Sequence, residues 1–409
     1  MAQHFAPEEV SGAVLATELA SDLVSRGHRV CFVTCVPSYP QGVVFAGYRN
    51  SLYSSEIIQD VRVIRTWSYI SPEKTFWHRI LNYGTFSLGA FFGGLAAGRQ
   101  DVILSYSPPL TLGMAAWLLG LVWGVPWVLR VEDLFPKAAV DTGVITNRFA
   151  IRVLYALERF LYRRAQHVSL ISESFRRHVL DQGFDPNKLS VFPVWADPNA
   201  IRPSARENDF RDKHQLDGKF VVMYSGNFGL TSALEDVVKA AQLLRDENRI
   251  VFVLVGEGLK KTDLMELVKK EQLANVFFLP YQPRHEYSEM LAAADVSLVT
   301  INRTHSQTSL PSKIFNLMAS QRPVLAIAPQ DSDIARLVMD AHCGRVMEPD
   351  QPELVAQSLV EIMNDADERE RMGKNARAAL LAQFSRRCGV DRYEEVLQNV
   401  VDQFRKRSG

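Results

Sequence analysis

The chain has 409 residues, with 46 Lys+Arg balanced by 46 Asp+Glu, 47% hydrophobic and 22% charged residues, 23 Gly and 19 Pro. These values exclude a disordered or collagen-like chain and a nucleic-acid binder driven by overall basicity, and the length implies two domains or three, each able to bury its own core. The four cysteines, Cys31, Cys35, Cys343 and Cys388, are too few and too scattered for a disulfide framework or a zinc site, which fits a reducing compartment. The opening Met1-Ala2-Gln3-His4 lacks the basic start and apolar run of a signal peptide, so the chain is expected inside the cell.

In chain order, apolar β-branched segments alternate with helical patterns. The first series of expected strands is Arg29–Thr34, Val61–Thr66, Val102–Tyr106, Trp127–Val131 and His167–Ile171. Their helices are Val14–Arg26, Phe76–Leu95, Leu110–Trp123, Arg148–Arg164 and Glu173–Gln182. After a charged, proline-bearing stretch at 197–218, a second series of strands runs Phe220–Ser225, Ile250–Val255, Val276–Leu279, Val296–Thr300 and Val324–Ile327. Helices are expected between them at Ser232–Asp246, Lys260–Gln272, His285–Ala293, Ser312–Ser320 and Ile334–Asp340, and helical patterns fill Pro352–Arg407. This alternation predicts two doubly wound α/β domains, whose ligands bind at the carboxyl ends of the strands.

Two windows, Ile80–Gly98 and Val102–Leu129, contain no charged residue and are long enough to span a bilayer. Pro108-Pro109 and Gly124-Val125-Pro126 cut the second into strand, helix and strand. In the first, Asn82, Tyr83, Gly84, Thr85 and Ser87 dilute the apolar run, and Gly89, Gly93, Gly94 and Gly98 weaken a lone helix but allow close packing. A buried βαβ core is the expected reading of both, because parallel sheets covered on two faces read as nearly continuous apolar runs.

Function is sought in the loops after strands. Ser225-Gly226-Asn227-Phe228-Gly229 follows the first strand of the second series, with Ser232 and Glu235 in capping-box spacing. The glycines serve either a close ligand or the turn itself. Val255-Gly256-Glu257-Gly258 repeats the arrangement, and Lys260 and Lys261 follow at a helix start, where the dipole disfavours cations. They mark either an anionic ligand or a solvated pair. Leu310-Pro311-Ser312-Lys313 opens another helix, and proline in a first turn leaves the next backbone N–H groups free for an anion that Lys313 can neutralise. In the first domain, Ser11-Gly12-Ala13 precedes a helix in the same way. Arg130-Val131-Glu132-Asp133 emerges from the apolar core, at a cleft or as a salt bridge. No Walker loop, HExxH motif or Ser/His/Asp arrangement is present. On the 148–164 helix, Arg148, Arg152, Arg159 and Arg163 fall within about 60° of one another, with Phe149, Val153, Leu154, Leu157, Phe160 and Leu161 on the other side. This stripe suits an anionic membrane or a solvated face.

The order Pro7-Glu8 with Ser11-Gly12, Arg26-Gly27-His28-Arg29-Val30, Tyr224-Ser225-Gly226-Asn227, Val255-Gly256-Glu257-Gly258, Ala293-Ala294-Asp295-Val296, Pro311-Ser312-Lys313 and Arg322-Pro323-Val324 resembles the family 4 retaining glycosyltransferases. Within that family it is most similar to bacterial fucosyltransferase-like and N-acetylfucosaminyltransferase-like enzymes of capsule, colanic acid and O-antigen assembly. The resemblance covers nearly the whole chain. It implies a GT-B fold, two Rossmann-like domains facing across a cleft, divided as 1–196, a linker at 197–218, 219–385, and a final helix at 386–409 crossing back to the first domain.

The activity implied is hexosyl transfer, with retention, from a UDP- or GDP-sugar to a lipid-linked saccharide, with no cofactor and usually no bound metal. By this resemblance Asp133, Glu132 and Lys313 are the catalytic candidates, and Gly12, Gly226, Asn227, Lys261, Tyr281, Pro311, Ser312 and Asn316 bind the donor. A cytoplasmic protein, peripheral on the inner membrane face through the 148–163 arginines, is expected, with no nucleic-acid partner. A non-catalytic nucleotide-sugar-binding scaffold and a nucleotide-sugar 2-epimerase share the architecture.

Three departures from the family pattern stand out. Only four residues precede the loop at Phe5–Gly12, where the family has a full strand, so a late start or a shortened domain would leave a sheet edge open. Thr308 and Asn316 replace a pair of glutamates common in the family. Asn227 and uncharged neighbours replace the Arg and Lys that often follow the Gly226-type glycine.

Overall fold

Strand and helix alternate from the first residues, and the computed structural model, which describes residues 1–73 and 75–408, arranges them as two α/β units. One contains Met1–Pro193 with the chain from Gly389 onward, and the other Val194–Cys388.

The first unit contains α1 (Ser11–Ser25), β1 (Cys31–Cys35), β2 (Tyr53–Ile58), β3 (Val61–Thr66), α2 (Phe76–Ala97), β4 (Ile103–Ser107), α3 (Leu110–Trp123) and β5 (Trp127–Val131). It continues through α4 (Lys137–Asp141), α5 (Arg148–Arg164), β6 (His167–Leu170), α6 (Glu173–Asp181) and β7 (Leu189–Val191). The strands form a three-stranded sheet, β1-β3-β2, and a four-stranded sheet, β4-β5-β6-β7. All pairings are parallel except β2 with β3. Met1 and Ala2 run between the two sheets. The Met1 amino group donates to the Leu104 carbonyl, Tyr106 N–H donates to the Met1 carbonyl, and Ala2 N–H donates to Val33 of β1. Burial pulls that amino group down to about 5.

The β2–β3 hairpin was not expected from the sequence. Tyr53–Ile58 is an exposed edge strand whose apolar residues do not alternate, so it lacks the periodic signal of a half-buried strand. The uncharged window 102–129 is a strand, a helix and a strand, as its prolines indicate. The other window differs from expectation. Helix α2 lies against β1 and β3, yet only 28% of its most apolar stretch is buried, and it is long and apolar enough to cross a membrane by length and composition.

The second unit contains α7 (Asp209–His214), β8 (Phe220–Ser225), α8 (Leu234–Leu243), β9 (Ile250–Val255), α9 (Lys261–Lys270), β10 (Val276–Leu279), α10 (Arg284–Ala292) and β11 (Val296–Thr300). Then come α11 (Lys313–Ala319), β12 (Val324–Ile327), α12 (Asp333–Asp340), β13 (Gly344–Met347), α13 (Pro352–Asn364) and α14 (Ala366–Ala379). One parallel sheet in the order β10-β9-β8-β11-β12-β13 carries the unit. Strands β8, β9, β11 and β12 are buried at every position, which explains their unbroken apolar sequences. The strand order reverses between β8 and β11, so the loops after these two strands part and leave a crevice at the carboxyl edge.

The 197–218 stretch, expected as a linker, is folded into this unit. Arg211 of α7 is fully buried, where it pairs with Asp295 and donates to the carbonyls of Ala293 and Lys219. A π-helical turn at Leu380–Phe384 leads to α15 (Arg386–Ser408), whose later part belongs to the first unit. There Tyr393 stacks edge-on with Phe192 and lies under Arg130, while Arg26 pairs with Asp391 and Glu394.

Candidate functional site

The residues picked from the sequence fall into two clusters, one in each unit.

In the second unit the cluster forms at the switch point. The β8 strand ends at Ser225 and the chain turns at Gly226, whose φ of +148° suits glycine. Tyr224 at the end of β8 donates its hydroxyl to the Asn227 carbonyl at 2.8 Å, which fixes the turn. The neighbouring glycines have a backbone role. A Cβ on Gly256 would lie 1.9 Å from the Gly226 carbonyl oxygen, and one on Gly258 would lie 2.4 Å from Asn227 Oδ1. The turns after β8 and β9 are therefore pressed together, with Phe228 N–H donating to Glu257 and Lys260 N–H to Phe228. Gly256 and Gly258 thus serve the packing of the two turns. For Gly226, the nearest atoms to an added Cβ are Nζ and Cδ of Lys313, at 3.3 and 3.4 Å.

Lys313 begins α11, which follows β11. Its ammonium lies 3.3 Å from the centroid of the Tyr224 ring, on the aromatic face. Among the described residues no carboxylate pairs with it, and burial holds its pKa well below the ordinary lysine value. The backbone at this helix start differs from expectation. Ile314 and Phe315 N–H already donate to Pro311 and Ser312 carbonyls, and α11 has seven residues. Pro311 and Ser312 therefore shape a tight first turn, and the cation of Lys313 is the main feature offered to an anion. Tyr287, which belongs to no motif in the sequence, lies against Ser225 and Asn316, and burial raises its hydroxyl. Tyr281, more than half exposed on the loop after β10, is close enough for its charge to bear on Tyr224, which burial raises further.

Lys261 behaves differently from Lys313. It is paired with Glu257 at 2.6 Å and donates to the Gly256 carbonyl, while Lys260 pairs with Glu235 and donates to the Ser232 carbonyl. The cations at this helix start thus have carboxylates within the chain. The capping box does not form: α8 starts at Leu234 with no side-chain cap, and Ser232 donates instead to the Gly229 carbonyl. Thr308 is buried and donates to the His305 carbonyl.

In the first unit, Gly12 and Glu132 meet. A Cβ on Gly12 would touch Glu132 Oε2 at 3.4 Å, and α1 has no side-chain N-cap. The Glu132 carboxylate thus rests over a helix start, where the dipole favours negative charge. Arg130 is buried, donates to the Phe192 carbonyl at 3.0 Å and to Glu132 at 3.4 Å, and lies over Tyr393. Its role is to orient Glu132 and brace α15. Asp133 is exposed just beyond β5, and desolvation by the protein around it, with the charge of Glu132 adding to it, pushes its carboxyl up to about 7. Tyr83 of α2, raised by burial, feels Asp133 and Arg79.

Because the folded pKa of Asp133 lies above the value of 3.8 for the free side chain, its contribution to stability is fully present below that value and is lost as pH rises to about 7. Asp133→Asn is therefore expected to melt above the wild type by a margin that opens between pH 4 and pH 7 and stays constant at higher pH. Thermal unfolding at several pH values measures it, and a pH-independent margin would place the titration elsewhere.

A domain described as "Glycosyl transferase 4-like domain" matches residues 12–195, and one described as "Glycosyl transferases group 1" matches residues 206–379. The chain is 30% identical over 268 residues to the probable glycosyltransferase WbjE of Pseudomonas aeruginosa, covering 65% of this chain and 67% of that one. It is 29% identical over 324 residues to the putative colanic acid biosynthesis glycosyl transferase WcaI of Escherichia coli K12, covering 77% and 79%. Among solved structures, sucrose-phosphate synthase from Thermosynechococcus elongatus superposes with a TM-score of 0.75 at 18% identity, covering 96% of this chain and 94% of that one. Anabaena Alr3699/HepE in complex with UDP and glucose gives 0.73 at 14%, covering 97% and 98%. With two α/β units, parallel sheets and both domain matches in sequence order, the chain is a glycosyltransferase of family 4 with the GT-B fold.

Proposed function

We propose that the protein is a retaining glycosyltransferase that moves a sugar from a UDP- or GDP-sugar to a lipid-linked saccharide in bacterial envelope polysaccharide synthesis, with fucose or N-acetylfucosamine as the type of sugar. The relative WcaI is named for colanic acid biosynthesis, and Alr3699/HepE was solved with UDP and UDP-glucose. The observation that carries the reading is Lys313, a half-buried lysine whose ammonium has no carboxylate partner among the described residues and stands beside the Gly226 turn at the switch point.

In this reading the second unit holds the donor. The diphosphate lies at Gly226, Asn227 and Lys313, Tyr281 serves the base, and Asn316 hydrogen-bonds a hydroxyl. The bond from the anomeric carbon to phosphate oxygen breaks, and the acceptor oxygen bonds to that carbon on the same face. The acceptor proton passes to the departing phosphate, so no separate protein base is needed. Charge grows on the diphosphate as the bond breaks, so Lys313 acts more strongly on the transition state than on the bound donor. In the first unit, Glu132 and Asp133 are the candidates for the polar group that acts on the transferred sugar. Lys261, already paired with Glu257, has the smaller share of the phosphate charge. No cofactor or metal enters this scheme. The protein works at the cytoplasmic membrane face, where its acceptor is held, and Arg148, Arg152, Arg159 and Arg163 attract the anionic surface.

Calorimetry with UDP- and GDP-sugars, followed by product analysis with a membrane fraction as acceptor, tests the assignment. Binding and transfer with retained configuration are expected. Tight binding without turnover under every acceptor condition would make the protein a scaffold, and inversion at C2 of the free donor would make it an epimerase.

A further inference from the structure

Helices α2, α3 and α5 of the first unit pack in that order, α2 against α3 and α3 against α5. Each leaves an apolar stripe on its outer side. On α2, Leu81, Leu88 and Phe92 are 49%, 62% and 60% exposed and fall within about 40° of one another at helical spacing. On α3, Leu118, Leu121 and Val122 are also exposed.

Helix α5 joins the same surface in a way the sequence did not foretell. Phe149 and Val153, on the apolar side by spacing, are exposed, and the buried residues of the helix are Glu158, Leu161 and Tyr162. Phe160 packs edge-on against Trp117 of α3 at 4.9 Å. At about 100° per residue, Phe149 and Val153 lie on either side of Phe160, the α3 contact, and next to the arginine stripe. The arginines therefore stand at the border of an apolar surface.

Charge selects the occupant. Neither α2 nor α3 has an acidic residue. The one acid of α5, Glu158, is buried and accepts from Tyr162. The border carries Arg148, Arg152, Arg159 and Arg163 with no exposed carboxylate on the same helix. An exposed apolar patch edged by cations on one side fits the interface of an anionic bilayer, where side chains enter the acyl boundary and guanidinium groups meet phosphates.

Building on the peripheral-membrane reading above, we propose that the outer faces of α2 and α3, with Phe149 and Val153 of α5, insert into the interface of an anionic bilayer, and that the arginines of α5 steer and orient this insertion rather than hold the protein by charge alone. Attraction by charge is screened by salt, while buried apolar area is not. The two contributions can therefore be separated.

The test is co-sedimentation of the full chain with vesicles of phosphatidylglycerol and phosphatidylcholine, and of phosphatidylcholine alone, at low and high salt. The wild type should retain binding to anionic vesicles at high salt. The triple variant Leu88→Gln, Phe92→Gln, Leu121→Gln should lose at least fivefold of that salt-resistant binding. The quadruple variant Arg148→Gln, Arg152→Gln, Arg159→Gln, Arg163→Gln should lose chiefly the low-salt preference for anionic vesicles. Equal sedimentation of the apolar variant and the wild type, or complete release of the wild type by salt, overturns insertion. A dimer in vesicle-free solution that the apolar variant dissolves also overturns it, by assigning the face to a second copy. Circular dichroism confirms that the variants fold, since every replaced side chain is exposed. Transfer to a detergent-dispersed acceptor, measured in parallel, separates the two readings: vesicle binding fails without loss of transfer if only the insertion is wrong, and transfer is absent if the enzymatic reading is wrong.

Discussion

Asp295→Ala is expected to destabilise the second unit by about 3–5 kcal/mol, the range for removing one partner of a buried ion pair. Asp295 immediately precedes β11 and is buried. One carboxylate oxygen accepts from Arg211 at 2.6 Å and from Val221 N–H at 2.8 Å, and the other accepts from Arg206 at 2.5 Å. Arg322 is close enough for the same carboxylate to favour its charged form, against burial, which lowers it. Without Asp295, Arg211 would remain buried near Arg206 and Arg322, with the exposed Glu207 carboxylate at 3.4 Å as a weaker partner. The double variant Asp295→Ala, Arg211→Met should recover part of the loss. It removes the stranded charge, but it leaves the carbonyls of Ala293 and Lys219 without their donor. Urea unfolding followed by circular dichroism reads both variants. An Asp295→Ala loss under 1 kcal/mol, the ordinary value of a surface pair, would show that Arg211 finds solvent in the folded protein.

That pair also shows where sequence reasoning reached and where it stopped. Ala293-Ala294-Asp295-Val296 was recognised as part of a family pattern, while its partner lay in a stretch set aside as a linker. A charged, proline-bearing segment has no periodic signal, and the reason it folds is a side chain eighty-four positions away. Elements with strong periodicity, such as α3, α5 and the five expected strands of the second unit, lie within a residue or two of their expected bounds. Elements held by neighbours, such as the β2 edge strand and β13, were not legible, because their residues are exposed or half-buried and do not alternate.

The site was legible to a similar degree. Gly226 and Lys313 were each found from local motifs, and the fold brings them within contact distance. Lys261, Ser232 and Glu235 were read from spacing alone, and their partners proved to be Glu257, the Gly229 carbonyl and Lys260. Tyr224 stood in the quoted motif without a role, since nothing in the sequence shows that a lysine eighty-nine positions later lies over its ring. The amphipathic reading of α5 identified the arginines, but a helical wheel cannot tell a neighbour from solvent. Spacing puts Phe149 and Val153 with the apolar residues of the helix, and only the structure shows that they are exposed.

Lys313→Met is expected to lower kcat/KM for the donor about a hundredfold, a loss of ~2.7 kcal/mol of transition-state stabilisation, in the range for removing one preorganised group that faces a developing charge. The same variant should raise the melting temperature of the donor-free protein. With the folded pKa of Lys313 below that of the unfolded chain, burial of the ammonium lowers stability at neutral pH, and this penalty is relieved as pH rises toward the ordinary lysine value of 10.5. Methionine keeps the apolar stem and removes the charge, so activity and stability should move in opposite directions. Donor binding supplies the missing countercharge, raises the lysine's pKa and draws in a proton at a pH where the group is partly neutral. Calorimetry in two buffers of different ionisation enthalpy detects this uptake, which should vanish in Lys313→Met. A variant that loses stability and keeps its kinetics would make Lys313 a packing residue over Tyr224, and the leaving phosphate would then need another cation.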